Sequence, residues 1–245
     1  DVTICEGDSA PLSANGNGSF LWSNGSTSQD LYVSPLVSTE YYLTVTLGTC
    51  TAYDTVLVTV NPNPVIPSMN DETICDGDSV LLTSGGGGDY LWSTGDTTSS
   101  INVAPYHTND YSVTVTNSFG CFSEDTVTVN VIPVPVANAG PDQNICFGQS
   151  ATLCASGGGN YLWNTGDTSA CIIVSPADTM EYYVTASNGS CMSTDTVIVN
   201  VLPNPTADAG LSQTILQGDT TLLSGAGYGT GPYIYTWTPD SSLSN

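Results

Sequence analysis

Eight cysteines are the residues of this chain best suited to covalent chemistry, and six of them follow a spacing rule. Cys5 and Cys50 lie 45 residues apart, Cys75 and Cys121 46, and Cys146 and Cys191 45, while Cys154 and Cys171 are 17 apart. An even count with a repeated interval predicts disulfides, one per repeat plus one extra: Cys5–Cys50, Cys75–Cys121, Cys146–Cys191 and Cys154–Cys171. In the chain-entropy account a closed loop of 45 residues stabilises by roughly 4 kcal/mol and one of 17 by about 3. Zinc is a poor alternative, because there is no Cys-x-x-Cys and the single histidine, His107, has no His or Cys at ligand spacing. Structural disulfides place the protein outside the cytoplasm.

Other chemistry is sparse. One histidine cannot serve as the base of a nucleophile–base pair in every repeat. The glycine runs at 85–88 and 157–159 precede no helical pattern, so they read as loops and not as phosphate cradles. Paired carboxylates could in principle hydrolyse glycosides, but a unit of about 70 residues leaves no room for a substrate cleft. These observations argue against an enzyme. Calcium is the one metal whose ligands are present: Asp71, Glu72, Asp76 and Asp78, or Asp208, offer carboxylates, although no EF-hand ligand ladder occurs. The competing account is a solvated acidic surface, with no cofactor at all.

Composition sharpens the exclusions. The 245 residues contain no Lys or Arg and 23 Asp or Glu, giving a net charge of −23. Without cationic side chains the chain cannot neutralise phosphates, which removes nucleic acid and anionic membrane surfaces as direct partners. It also cannot form Lys–Asn isopeptide cross-links, so reinforcement falls to cysteine. No apolar run reaches the roughly 18 residues of a membrane span, and Asp1 opens no signal peptide, which reads as a mature or excised segment.

The elements that must position these residues recur with a period of about 70. Leu21-Trp22-Ser23, Leu91-Trp92-Ser93 and Leu162-Trp163-Asn164 each place a tryptophan 17 residues after Cys5, Cys75 or Cys146. A Tyr strand follows at Tyr41, Tyr111 and Tyr182, and each repeat ends in an alternating β-branched strand stopped by Pro-x-Pro. Proline fixes φ and extends its predecessor, so these junctions are expected to be stiff. Alternation with period two, turns at glycine and no helical pattern predict seven short strands per repeat: an all-β linear array of immunoglobulin-like sandwiches. The expected units are 1–64, 65–135, 136–205 and a partial repeat 206–245. The tryptophans are expected as core anchors, with a sugar-stacking platform as the alternative. In the last repeat Leu216 replaces the first cysteine, a loop 225–232 leads to Tyr233-Ile234-Tyr235-Thr236-Trp237-Thr238-Pro239, and no Tyr strand follows. Either the chain continues or a neighbouring chain supplies the missing strands.

Cys-x-Gly-x-Ser, Leu-Trp-Ser-x-Gly-x-Thr, Tyr-x-Val-x-Val-Thr, Asp-Thr-Val-x-Val and Ala-x-Ala-Gly together resemble the Ig-like and PKD-like repeats of giant surface proteins in Bacteroidota-type bacteria. These include gliding-motility adhesins exported by the type IX system. The resemblance implies a non-catalytic segment of an extracellular, cell-surface rod, an adhesin or filament. Its partners would be neighbouring repeats of the same or identical chains and surface polysaccharide. Spacer modules of a secreted carbohydrate-active enzyme or carbohydrate-binding protein are the alternative. It also implies O-glycosylation at Asp-Ser/Thr tripeptides, with Thr55, Thr126, Thr196, Ser9 and Ser79 as acceptors at the start of strands; such dipeptides are also common in turns.

Overall fold

The computed structural model describes residues 1–229 and 232–238. Every regular element in it is a strand. The chain divides into two compact units, 1–132 and 133–245.

The first unit holds two sandwiches of the same design. In the first, β1 (Val2–Cys5), β6 (Cys50–Asn61), β5 (Thr39–Leu47) and β3 (Ser19–Trp22) form one sheet in that order. β2 (Ala10–Ser13) and β4 (Asp30–Val33) form the other. The second repeats this with β7 (Glu72–Cys75), β12 (Phe122–Ile132), β11 (Asn109–Thr116) and β9 (Asp89–Trp92), covered by β8 (Val80–Thr83) and β10 (Ser100–Val103). The second unit contains a third copy: β13 (Gln143–Cys146), β18 (Cys191–Leu202), β17 (Met180–Asn188) and β15 (Asn160–Trp163), covered by β14 (Ala151–Cys154) and β16 (Cys171–Val174). Each copy has six strands and not the expected seven.

Alternation explains the core. Along β12, Val127 and Val129 point inward and are buried while Thr126 is exposed, as a pleated strand with one face on the core requires. Trp22, Trp92 and Trp163 are buried in their three cores, so none offers a face on which a sugar could stack. Each indole N–H donates to a backbone carbonyl six residues on, Ser28, Thr98 or Ser169, at 2.8 to 3.1 Å. The turn after each tryptophan needs a glycine with positive φ, and Gly25, Gly95 and Gly166 supply it at 87 to 90°.

In the last repeat β19 (Thr206–Asp208) pairs antiparallel with β20 (Ala226–Tyr228), so part of the expected loop 225–232 is strand. Residues 230, 231 and Pro239 of that region lie outside the described residues.

Candidate functional site

Strand register determines where the cysteines go. β1 lies parallel to β6, with Cys5 opposite Asn61 at the outgoing end of the sandwich. Cys50 opens the same 12-residue strand. At about 3.3 Å per residue the two cysteines of one repeat therefore stand roughly 36 Å apart, against the 7 Å limit for a disulfide. The pairing within repeats is corrected accordingly. Cys5 is bonded to Cys121 of the following sandwich, with a Cα–Cα distance of 5.5 Å and a sequence separation of 116. Cys5–Cys50 and Cys75–Cys121 are thereby excluded, and Cys146–Cys191 fails because Cys146 is a free thiol. Cys75 and Cys191 are both disulfide-bonded, whereas Cys50 is free and exposed. Cys154 and Cys171 are bonded to each other, facing across β14 and β16 in register.

The Cys5–Cys121 bond lies over a junction that is itself built of hydrogen bonds. Asn117 Nδ2 donates to the Pro62 carbonyl at 2.8 Å and Ser123 Oγ to that of Pro64 at 2.8 Å. The backbone N–H of Met69 donates to an Asp125 carboxylate oxygen at 3.0 Å. Ile66 and Met69 also pack against the second core. The Pro-x-Pro stretch is thus the edge of the next sandwich, not a free spacer. Proline suits the role, because a segment held by its carbonyls gives up no needed N–H donor there.

The third sandwich receives its incoming segment in the same way. Ser193 Oγ donates to the Pro135 carbonyl at 2.6 Å, Ala139 N–H donates to Asp195 at 2.8 Å, and Asn138 bridges Ser156. Ala139 is buried. A Cβ on Gly157 would stand 1.6 Å from the Val136 carbonyl oxygen. Gly157→Ala is therefore expected to expel residues 136–139 from this edge, speeding their amide exchange at least tenfold. Gly158→Ala, at a similar positive φ but facing open space, is expected to cost only roughly 1–2 kcal/mol of backbone strain. Hydrogen–deuterium exchange on the two variants checks both.

The remaining candidates stay dispersed. Among the described residues no group of three or more His, Cys, Asp and Glu side chains could hold a metal ion. Asp76 and Asp78 lie in the turn after β7, where their backbone N–H groups bond to the carbonyls of Ile132 and Cys75. Asp208 lies on β19, where its carboxylate accepts from the Gly210 N–H. Ser9 and Ser79 are exposed, immediately before β2 and β8. Thr55, Thr126 and Thr196 are exposed but sit in mid-strand, opposite Tyr42, Ser112 and Tyr183, and not at strand starts. Tyr42 donates its phenol to Glu40 at 2.7 Å; that bond, and the charge of the carboxylate, raise its pKa above the usual tyrosine value. A raised phenol is the opposite of what a base or nucleophile needs.

Fold and junction together define a tandem array of immunoglobulin-like sandwiches. No family model matches the sequence, and no curated protein matches it. Among solved structures, the chain is similar to Drosophila OTK extracellular domains 3–5, at 13% identity and TM-score 0.38, covering 81% of this chain and 93% of that one. It is also similar to the N-terminal eight Ig domains of the Down Syndrome Cell Adhesion Molecule, at 17% identity and TM-score 0.45, covering 84% of this chain and 36% of that one. A third is the I-band fragment I67–I69 of titin, at 13% identity and TM-score 0.41, covering 82% and 95%.

Proposed function

We propose that this chain is a load-bearing, non-catalytic stretch of an extracellular surface rod, an adhesin or filament of the Bacteroidota type. The observation that carries this reading is the Cys5–Cys121 bond, which staples the outgoing end of one sandwich to the incoming edge of the next. Tension along the chain would otherwise peel the segment 62–71 from that edge one hydrogen bond at a time; the covalent link makes both sandwiches share the load. The lack of cationic side chains leaves like-charge repulsion among the repeats, which favours extension and weakens with salt. Small-angle scattering tests this: three sandwiches in a row, each about 35 to 40 Å long from a strand rise of about 3.3 Å per residue, should give a rod of more than about 100 Å. A compact particle at low and high salt alike would refute the rod.

Glycosylation belongs to the same reading. Thr55, Thr126 and Thr196 share one position in three repeats and face solvent, so sugars there would coat each sandwich at the same position. Intact-mass spectrometry of protein from its native source should show mass beyond the bare 25.3 kDa of this sequence. A spectrum at the bare mass would dismiss the coating.

A further inference from the structure

The three sandwiches differ at their incoming edges. In the second and third, the edge beside the last strand is covered by the incoming Pro-x-Pro segment; in the first the same edge is an open trough of about 560 Å³. Its walls include Leu12, Ala14, Val45, Ala52, Asp54 and Val56. Val45 and Val56 are partly exposed, whereas their equivalents Val115 and Val127, and Ala186 and Val197, are buried. Asp54 is exposed and accepts from its neighbour Thr55, while Asp125 and Asp195 each clamp an incoming backbone N–H. A Cβ on Gly16 would meet nothing, while its equivalents Gly86 and Gly157 lie against the carbonyls of Val65 and Val136. Finally, Cys50 is an exposed thiol in the position that Cys121 fills as a buried disulfide partner.

From this we infer that the trough of the first sandwich, together with Cys50, is an acceptor site for the outgoing end of another sandwich of this kind. The recognised chemistry is an extended Pro-x-Pro-led segment with a small or unbranched residue at the Asp54 clamp, and a cysteine thiol at the end of an opening strand. The inference does not depend on the array being an adhesin. The site repeats the interface between the first two sandwiches, with the same clamp, the same Cβ-free glycine and the same cysteine, and the clamp and the glycine recur on the third. The covalent step is an oxidation: the two thiols lose two protons and two electrons to form the S–S bond, and a small-molecule disulfide such as oxidised glutathione takes them up, leaving as two thiols.

Two extended chains test it, each ending at Pro141 joined to Asp1, as Pro141 natively joins Asp142. The first carries a second copy of residues 72–141 ahead of the full chain, refolded with reduced and oxidised glutathione. Non-reducing peptide maps should show the added Cys75 bonded to Cys50, and Cys50 closed to alkylation. The added Cys121 bonded to the added Cys75, with Cys50 still alkylated, would overturn the assignment. The second carries only residues 133–141. Amide exchange at residues 52–56 should slow at least tenfold relative to the original chain, and Asp54→Ala should reverse most of that slowing. Unchanged exchange would show that the trough is not a receptor for this segment, even if the longer chain fails to fold.

Discussion

Replacing Cys5 and Cys121 together by serine should lower the unfolding free energy of the first unit by about 2–4 kcal/mol, the usual yield of a native disulfide. The loop it closes spans 116 residues, and chain-entropy arithmetic for a loop of roughly 100 residues gives about 4.7 kcal/mol as the ideal figure. Both cysteines must go, because Cys121 is buried and a lone thiol there would add its own penalty. Urea unfolding followed by tryptophan fluorescence reads the loss as a shift in midpoint. The same variant should also lose cooperativity between the first two sandwiches, giving two transitions where the bonded chain gives one. Ser replacements at Cys154 and Cys171 provide the contrast: that bond closes 17 residues inside one sandwich, so its loss should weaken the third sandwich without separating any transitions. An unchanged midpoint in the Cys5 and Cys121 variant would show that the hydrogen bonds of Asn117, Ser123 and Asp125 hold the junction by themselves.

Trp163→Ala should cost about 3–5 kcal/mol, the range for deleting a large aromatic from a packed core. The side chain is 1% exposed and packs among Leu153, Ile172, Val184 and Val197. Its indole N–H also holds the Ser169 carbonyl at 3.1 Å, which fixes the turn that follows. Truncation thus opens a cavity and strands a carbonyl at once. Trp163→Phe keeps most of the volume and should cost less. With domain stabilities of about 5–15 kcal/mol, the alanine variant should leave the third sandwich largely unfolded at 37 °C, visible as loss of amide protection in β15, β17 and β18. Protection equal to the parent chain would mean that the tryptophan is not the anchor of this core.

Much of the molecule was legible in the residues. The 70-residue period, the buried tryptophans and the β-branched final strands follow from patterning that any pleated, half-buried strand must obey, and these features recur in all three sandwiches. Residues 62–71 read as a stiff junction, because a sheet interior does not accept their prolines. Instead they lie along an edge, held by Ser123 and Asp125.

The sequence by itself also determined that cysteines recur at a fixed interval, but not which of them are bonded: Cys50 and Cys146 are free. An interval of 45 or 46 residues is equally compatible with a bond inside a repeat and with one between repeats. Only the tertiary structure decided, through the parallel register of β1 on β6. Parallel pairing carries Cys5 to the outgoing end of its sandwich and leaves Cys50 at the incoming end, so Cys5 meets Cys121 of the following sandwich and not Cys50. No local property of Cys5 or Cys50 encodes that direction; it arises when an opening strand, with a whole sandwich between, is laid beside the last.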